Sequence, residues 1–178
     1  MEEAYKKLSI YYLSGTGNSY RASRWIAEKA VDKGISAETI SVEEQLTGKE
    51  TIDSKGKLFG FLFPTHGFTA PWQMIKFALE FPRIKGADAF AVATRAGTRF
   101  GKIYFPGFEG TSLYLITLIL YLKGFRIRGT MGLDMPSNWT ALHPGLNKGS
   151  VDGIISRAKT KTDKFVRRIF DGGTSFSG

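Results

Sequence analysis

The sequence predicts an α/β fold, a parallel sheet with helices on both faces, in a single domain. Three observations carry that reading. Short apolar runs alternate with stretches at helical spacing in the order βαββαβαβα. One run, KLFGFLFP at 57–64, is apolar without alternation, as a strand buried on both faces requires. Gly34 and Gly124 stand where two helical patterns stop. Strand–helix–strand units that repeat in this way close into a parallel sheet, because their crossovers place helices on its faces.

Each element has its own warrant. LSIYYL at 8–13 is a short β-rich run, and 18–33 carries Ala22, Trp25, Ile26 and Ala30 at helical spacing. A second strand is predicted at 35–42. The segment 43–56 reads as a short helix or a loop. After the apolar strand at 57–64, Trp72, Ile75 and Leu79 mark a helix over 71–81, and ADAFAVAT at 87–94 a fourth strand. A strongly apolar helix is predicted at 109–123, a fifth strand at 126–133 and an amphipathic helix at 150–170. The domain is expected to occupy 1–171, with 172–178 as a flexible tail, linker or cloning remnant.

Composition narrows the function classes. The 178 residues include no cysteine, so this chain has no disulfide, thiolate nucleophile, thiolate zinc site or cysteine-held iron–sulfur cluster. The amino terminus lacks the apolar core of a secretory signal. LYLITLILYL at 113–122 is about half of the roughly 20 residues a bilayer span needs, so a core helix and a cytoplasmic protein are expected. The net charge of +9 is scattered over Lys55/Lys57, Arg95/Arg99/Lys102, Lys123/Arg126/Arg128 and 157–170. No nucleic-acid-binding module accompanies it, so it points to an acidic protein partner rather than to nucleic acid.

The loop SGTGNS, Ser14 to Ser19, falls between the first strand and the first helix, where open α/β sheets bind phosphate. Gly15 and Gly17 permit positive φ and close backbone approach. Ser14, Thr16 and Ser19 offer hydroxyls, and Asn18 with the free amides of the helix start would face the anion. Neither the Walker spacing nor GxGxxG is met. A lysine-free, hydroxyl-rich cradle suits a terminal monophosphate; the alternative is a tight turn with Asn18 or Ser19 as helix cap.

LSGTGNS at 13–19, FPTHGFTAP at 63–71, ATRAG at 93–97 and DMPSNW at 134–139 together resemble the flavodoxin-like family. The resemblance is greatest to the flavodoxin-like domain of bacterial flavodoxin-ferredoxin fusion proteins. It implies a three-layer sandwich with a five-stranded parallel sheet in the order 2-1-3-4-5. It also implies one flavin mononucleotide (FMN) held at the carboxyl ends of the strands, and electron exchange with an iron–sulfur or other redox partner, such as an acidic ferredoxin domain or protein.

The two further loops at that sheet edge then become ring-binding candidates. The first is Pro64, Thr65, His66, Gly67 and Phe68; the second is Thr94, Arg95, Ala96 and Gly97. Phe68 or Trp72 would stack on one ring face, with core packing the alternative for Trp72. For the second face the sequence offers Phe100 and Tyr104, or Arg95 itself. Arg95, Arg99 and Lys102 near the ring would favour an anionic reduced flavin, the reverse of the carboxylate-rich surroundings typical of flavodoxins.

Two other functions remain open on sequence grounds: an FMN-dependent reductase of a nicotinamide cofactor or quinone, and a non-redox phosphate-ligand or nucleic-acid binding module. No GxSxG elbow is present for a hydrolase. His66 and His143 lack a clustered carboxylate set for a metal, and Leu13 and Ser14 stand where a receiver domain needs acids.

Overall fold

The uninterrupted apolar run becomes the middle of the sheet, β3 (Lys57–Pro64). Its neighbours are β1 (Lys7–Tyr12) on one side and β4 (Asp88–Phe100) on the other, both parallel to it. β2 (Ser36–Ser41) pairs with β1, and β6 (Arg126–Pro136) with β4. The computed structural model describes residues 5–44, 55–100, 103–137 and 146–177, with the backbone alone at 99 and 100. Five parallel strands therefore stand in the order 2-1-3-4-5 expected from the resemblance, β6 being the fifth. Most of the 43–56 connection lies outside the described residues.

Two strands were not foreseen. β5 (Ile103–Phe105) turns back on the end of β4 as an antiparallel hairpin. β7 (Ser175–Ser177) extends the sheet beyond β6, within the stretch expected to be a tail. Gly129 of β6 explains that addition, because a side chain there would meet the Ser175 carbonyl at 2.4 Å. Arg128 holds the preceding turn by donating to the carbonyls of Gly172 and Gly173. β4 and β6 also run longer than predicted, since Arg95–Gly97 keep pairing with Asp134–Pro136 after β3 has ended.

The helices form the outer layers. α1 (Asn18–Val31) and α4 (Lys148–Phe170) cover one face through Ala22, Ile26, Phe165 and Ile169, packed on Ile10, Leu62, Phe90 and Val92. α2 (Trp72–Glu80) and α3 (Ser112–Leu122) cover the other through Met74, Phe77, Ile116 and Leu120, packed on Phe59, Phe61 and Phe63. Side chains alternate across a strand, so β3 and β4 pair large with small on each face. Phe59, Phe61 and Phe63 lie across from Ala89, Ala91 and Ala93, and Gly60 across from Phe90. α2 buries Met74, Phe77 and Ala78, with Ile75 partly buried against the same core, while Trp72 and Leu79 are exposed. No helix among the described residues is long and apolar enough to cross a membrane.

Candidate functional site

Two loops, after β1 and β3, emerge at the carboxyl edge of the sheet. Hydrogen bonds tie them to the extension of β4 over Thr94–Gly97, expected to be a loop but kept as strand by its pairing with β6, to make one shelf. Thr94, at the point where β3 stops, is the junction. Its carbonyl accepts the Thr65 amide at 2.8 Å, and its hydroxyl lies 2.9 Å from the Ser19 hydroxyl. The start of α1, the loop after β3 and β4 are thereby fixed together.

The first loop has the form of an anion cradle. Gly17 takes the left-handed conformation at φ 85°, which turns the chain into α1, and Gly15 to Gly17 are exposed. No side chain caps Gly17 among the described residues, and the first turn of α1 carries no acid. Arg21 stands exposed in that turn instead, a cation where the helix dipole alone favours an anion. Ser14 accepts the Tyr20 amide at 3.2 Å, so it, rather than Asn18 or Ser19, satisfies a first-turn donor.

Two predicted cradle groups point elsewhere. Asn18 donates to the Pro136 carbonyl at 3.3 Å, and the Ser19 hydroxyl is buried against Thr94. The cradle is left to Ser14, Thr16 and the loop amides. Side chains at Gly15 and Gly17 would meet no other atom within 4 Å, which marks open space over the loop.

The second loop supplies aromatic surface. His66 and Thr69 exchange backbone hydrogen bonds at 2.9 and 3.0 Å, with Gly67 at φ 53° and Phe68 at φ 62° between them. This is a type I′ turn, whose central positions both need positive φ. A phenylalanine there is strained, and it is also 64% exposed. Its ring meets Phe108 edge to face, centroids 5.7 Å apart, and Phe108 is 70% exposed. Trp72 stands exposed at the start of α2 beside this turn. The Thr65 hydroxyl is buried without a hydrogen-bond partner among the described residues, which leaves a donor at this end of the shelf.

Phe108 was missed by sequence reasoning, which placed Glu109 at the start of a helix that in fact begins at Ser112. The signal was PGFEG, an aromatic and an acid set between glycines. Tyr104, offered earlier for the second ring face, is turned away: Asp134 takes its hydrogen bond and Arg157 lies 4.4 Å over its ring. Burial first, then Asp134, pushes the Tyr104 phenol well above its ordinary value. Lys102, Asn138, Trp139 and His143 lie outside the described residues, and of Arg99 and Phe100 only the backbone is described.

Arg95 is not a free cation facing the shelf, contrary to expectation. Its guanidinium makes a two-pronged contact with Asp134, at 2.9 and 3.3 Å, and donates to Glu109. Burial alone would lower its pKa, but the two carboxylates more than reverse this and raise it. Behind it, Lys161 donates to the Gly132 carbonyl at 2.7 Å, and burial followed by Arg95 lowers the pKa of that amine. Ala96 is exposed, and Gly97 is buried where a side chain would strike Asp134 at 2.9 Å. Among the described residues no group of histidine and acidic side chains could hold a metal ion.

No protein-family profile and no curated protein matches the chain. Solved structures do match it. The flavodoxin of Streptococcus pneumoniae TIGR4 superposes with a TM-score of 0.57 at 15% identity, over 90% of this chain and 98% of that one. Oxidised flavodoxin 1 of Bacillus cereus gives 0.58 at 14% identity, over 90% and 97%. The two-electron reduced flavodoxin of Megasphaera elsdenii gives 0.55 at 18%, over 86% and 98%. The chain thus has the flavodoxin-like fold.

Proposed function

We propose that this chain is an FMN-binding electron carrier. The single observation that carries the reading is the shelf itself: an open glycine and hydroxyl cradle at the start of α1, tied through Thr94 to a loop bearing exposed Phe68, whose ring meets exposed Phe108 of a neighbouring loop. That combination suits a planar aromatic ligand with a terminal phosphate.

The phosphate would be held by Ser14, Thr16 and the amides from Gly15 to Asn18, with Arg21 adding charge. Pro64 to Phe68 would frame the ring, with Thr94, Ala96 and Gly97 at the edge of the shelf, Phe68 supplying a face and Thr65 a buried hydrogen-bonding group. The His66 to Thr69 turn presents the His66 imidazole and the Phe68 ring at the exposed tip of the shelf. When bound, the flavin supplies the electron transfer, and the protein contributes binding, orientation and a defined surface for a partner. The fold is shared with flavodoxins caught in oxidised and two-electron reduced states.

The redox partner we infer is acidic, a ferredoxin domain or protein, because the chain carries a net charge of +9. The lack of cysteine suits a reducing cytoplasm. The test is the visible spectrum after FMN addition and desalting, for the parent and for a Ser14→Ala/Thr16→Ala variant. Flavin bands retained by the parent and lost in the variant support the reading. A parent that retains no flavin overturns it and favours a non-redox phosphate-binding module on the same fold.

A further inference from the structure

The buried charges behind the shelf have a geometry that stability alone does not require. Arg95, Glu109 and Asp134 side chains are 8%, 15% and 11% exposed, so three ionised groups have been withdrawn from water. Apolar residues of similar volume commonly serve stability as well as such a cluster. What an ion cluster adds is direction, because a two-pronged guanidinium–carboxylate contact fixes both partners in orientation.

The fixed direction leads to the aromatic surface. Asp134 Oδ1 accepts the Arg95 Nε–H at 2.9 Å and also the Gly107 amide at 2.7 Å, while Glu109 accepts from the far side of the same guanidinium. The cluster thus grips residues 107 and 109, on either side of Phe108. The next two residues grip Phe68: Gly110 lies so close that a side chain would meet the Phe68 carbonyl at 2.1 Å, and the Thr111 amide donates to that carbonyl at 2.8 Å.

Glycines give the cluster its close fit. A side chain at Gly107 would strike the Ala96 carbonyl at 2.5 Å, and one at Gly132 would strike Arg95 Nη1 at 2.8 Å. These positions leave no room for slack around the guanidinium, so its orientation is transmitted to the 107–111 loop.

We propose that Arg95, Glu109 and Asp134 are positioning residues that hold the Phe68–Phe108 pair as the ring-facing wall of the shelf, without touching the ligand themselves. The inference rests on the FMN reading and deepens it. Because the cluster acts on the wall and not on the cradle, its effect falls on the ring-binding part of affinity and leaves the phosphate part unchanged.

The experiment measures dissociation constants of FMN and of riboflavin, which lacks the phosphate, by flavin fluorescence. It compares the parent, a conservative Glu109→Gln variant, and an Arg95→Met/Glu109→Gln/Asp134→Asn variant that removes all three charges of the cluster while Lys161 keeps the Gly132 carbonyl as its partner. Backbone hydrogen exchange at 107–111 is followed in the flavin-free proteins. The expected result is faster exchange at 107–111 and loss of affinity for both flavins by the same factor, roughly tenfold for the triple variant, with the riboflavin-to-FMN ratio unchanged. Affinities that stay at parental values overturn the positioning role, and so does a collapse of the ratio, which would place the effect on the cradle. A parent that binds neither flavin overturns the FMN reading, and this role with it.

Discussion

Gly110→Ala and Gly67→Ala form a matched pair that isolates the contact between the two aromatic loops. Both glycines have positive φ, 58° and 53°, so alanine at either costs about 1–2 kcal/mol of left-handed strain. Both substitutions remove the same conformational freedom from the unfolded chain, so that gain cancels in the comparison. They differ in surroundings. At Gly67 a Cβ meets nothing within 4 Å, whereas at Gly110 it would lie 2.1 Å from the Phe68 carbonyl oxygen and 2.7 Å from Phe68 Cβ. Backbone cannot yield as a side-chain tip does. The loops must part, and the 2.8 Å bond from the Thr111 amide to Phe68 is lost with them, at about 1 kcal/mol net. Gly110→Ala should therefore cost about 2–4 kcal/mol against about 1–2 for Gly67→Ala, a gap worth roughly 2–8 °C in melting temperature for a chain of this size. Urea denaturation followed by circular dichroism reads the difference. Equal losses, or a larger loss at Gly67, would refute the idea that the two loops are locked at Gly110.

Three further outcomes follow from other parts of the molecule. Gly60→Ala puts a Cβ 2.6 Å from the buried Phe90 ring and should cost about 1–3 kcal/mol in urea titration, partly recovered when Phe90→Leu is added. Asn147 accepts the Ser150 amide at 2.8 Å as the cap of α4, so Asn147→Ala should cost about 1 kcal/mol and Asn147→Asp much less, measured by thermal melting. Tyr5 and Tyr104 have phenols raised above 10.0 by burial first, then by Asp88 and Asp134. The folded chain keeps these protons where the unfolded chain releases them, so their stabilisation is intact below pH 10 and is lost progressively above it. Melting temperature should fall between pH 9 and 11, and the fall should be shallower in Tyr104→Phe; an identical profile in that variant would show Tyr104 has no part in it.

What could be read in the sequence was the part that depends on local pattern. The strand at 57–64 announces itself by continuous apolar character, and its position at the centre of the sheet follows from needing cover on both faces. The loop at Ser14 to Ser19 is legible because left-handed backbone demands glycine and the first strand–helix turn is where anions bind. For α2 the period marked the helix without naming its buried face, since Trp72 and Leu79 are as apolar as Met74 and Phe77 and periodicity cannot say which stripe meets the sheet; Ile75 lies at the border, partly buried against the core. The roles of Asn18, Ser19 and Arg95 were hidden because their partners are distant in sequence: Pro136, Thr94 and Asp134 are brought close by strand register across the sheet, and Glu109 by the loop before α3. A lone residue type carries no sign of such pairing.

Arg95 shows what that difference means for the electrostatics of the shelf. An unpaired cation about 4 Å from a charge is worth a few kcal/mol at an effective dielectric near 20, enough to shift a redox equilibrium strongly. Read from sequence alone, Arg95 would supply that effect. With Asp134 on one edge of its guanidinium and Glu109 on the other, its charge is more than balanced within contact distance. The field Arg95 sends outward is cut by its two carboxylates and falls off far faster than that of an unpaired charge. The side chain that looked like a tuning residue is thereby spent on shape, and the excess of +9 is left to other, exposed cations such as Arg21.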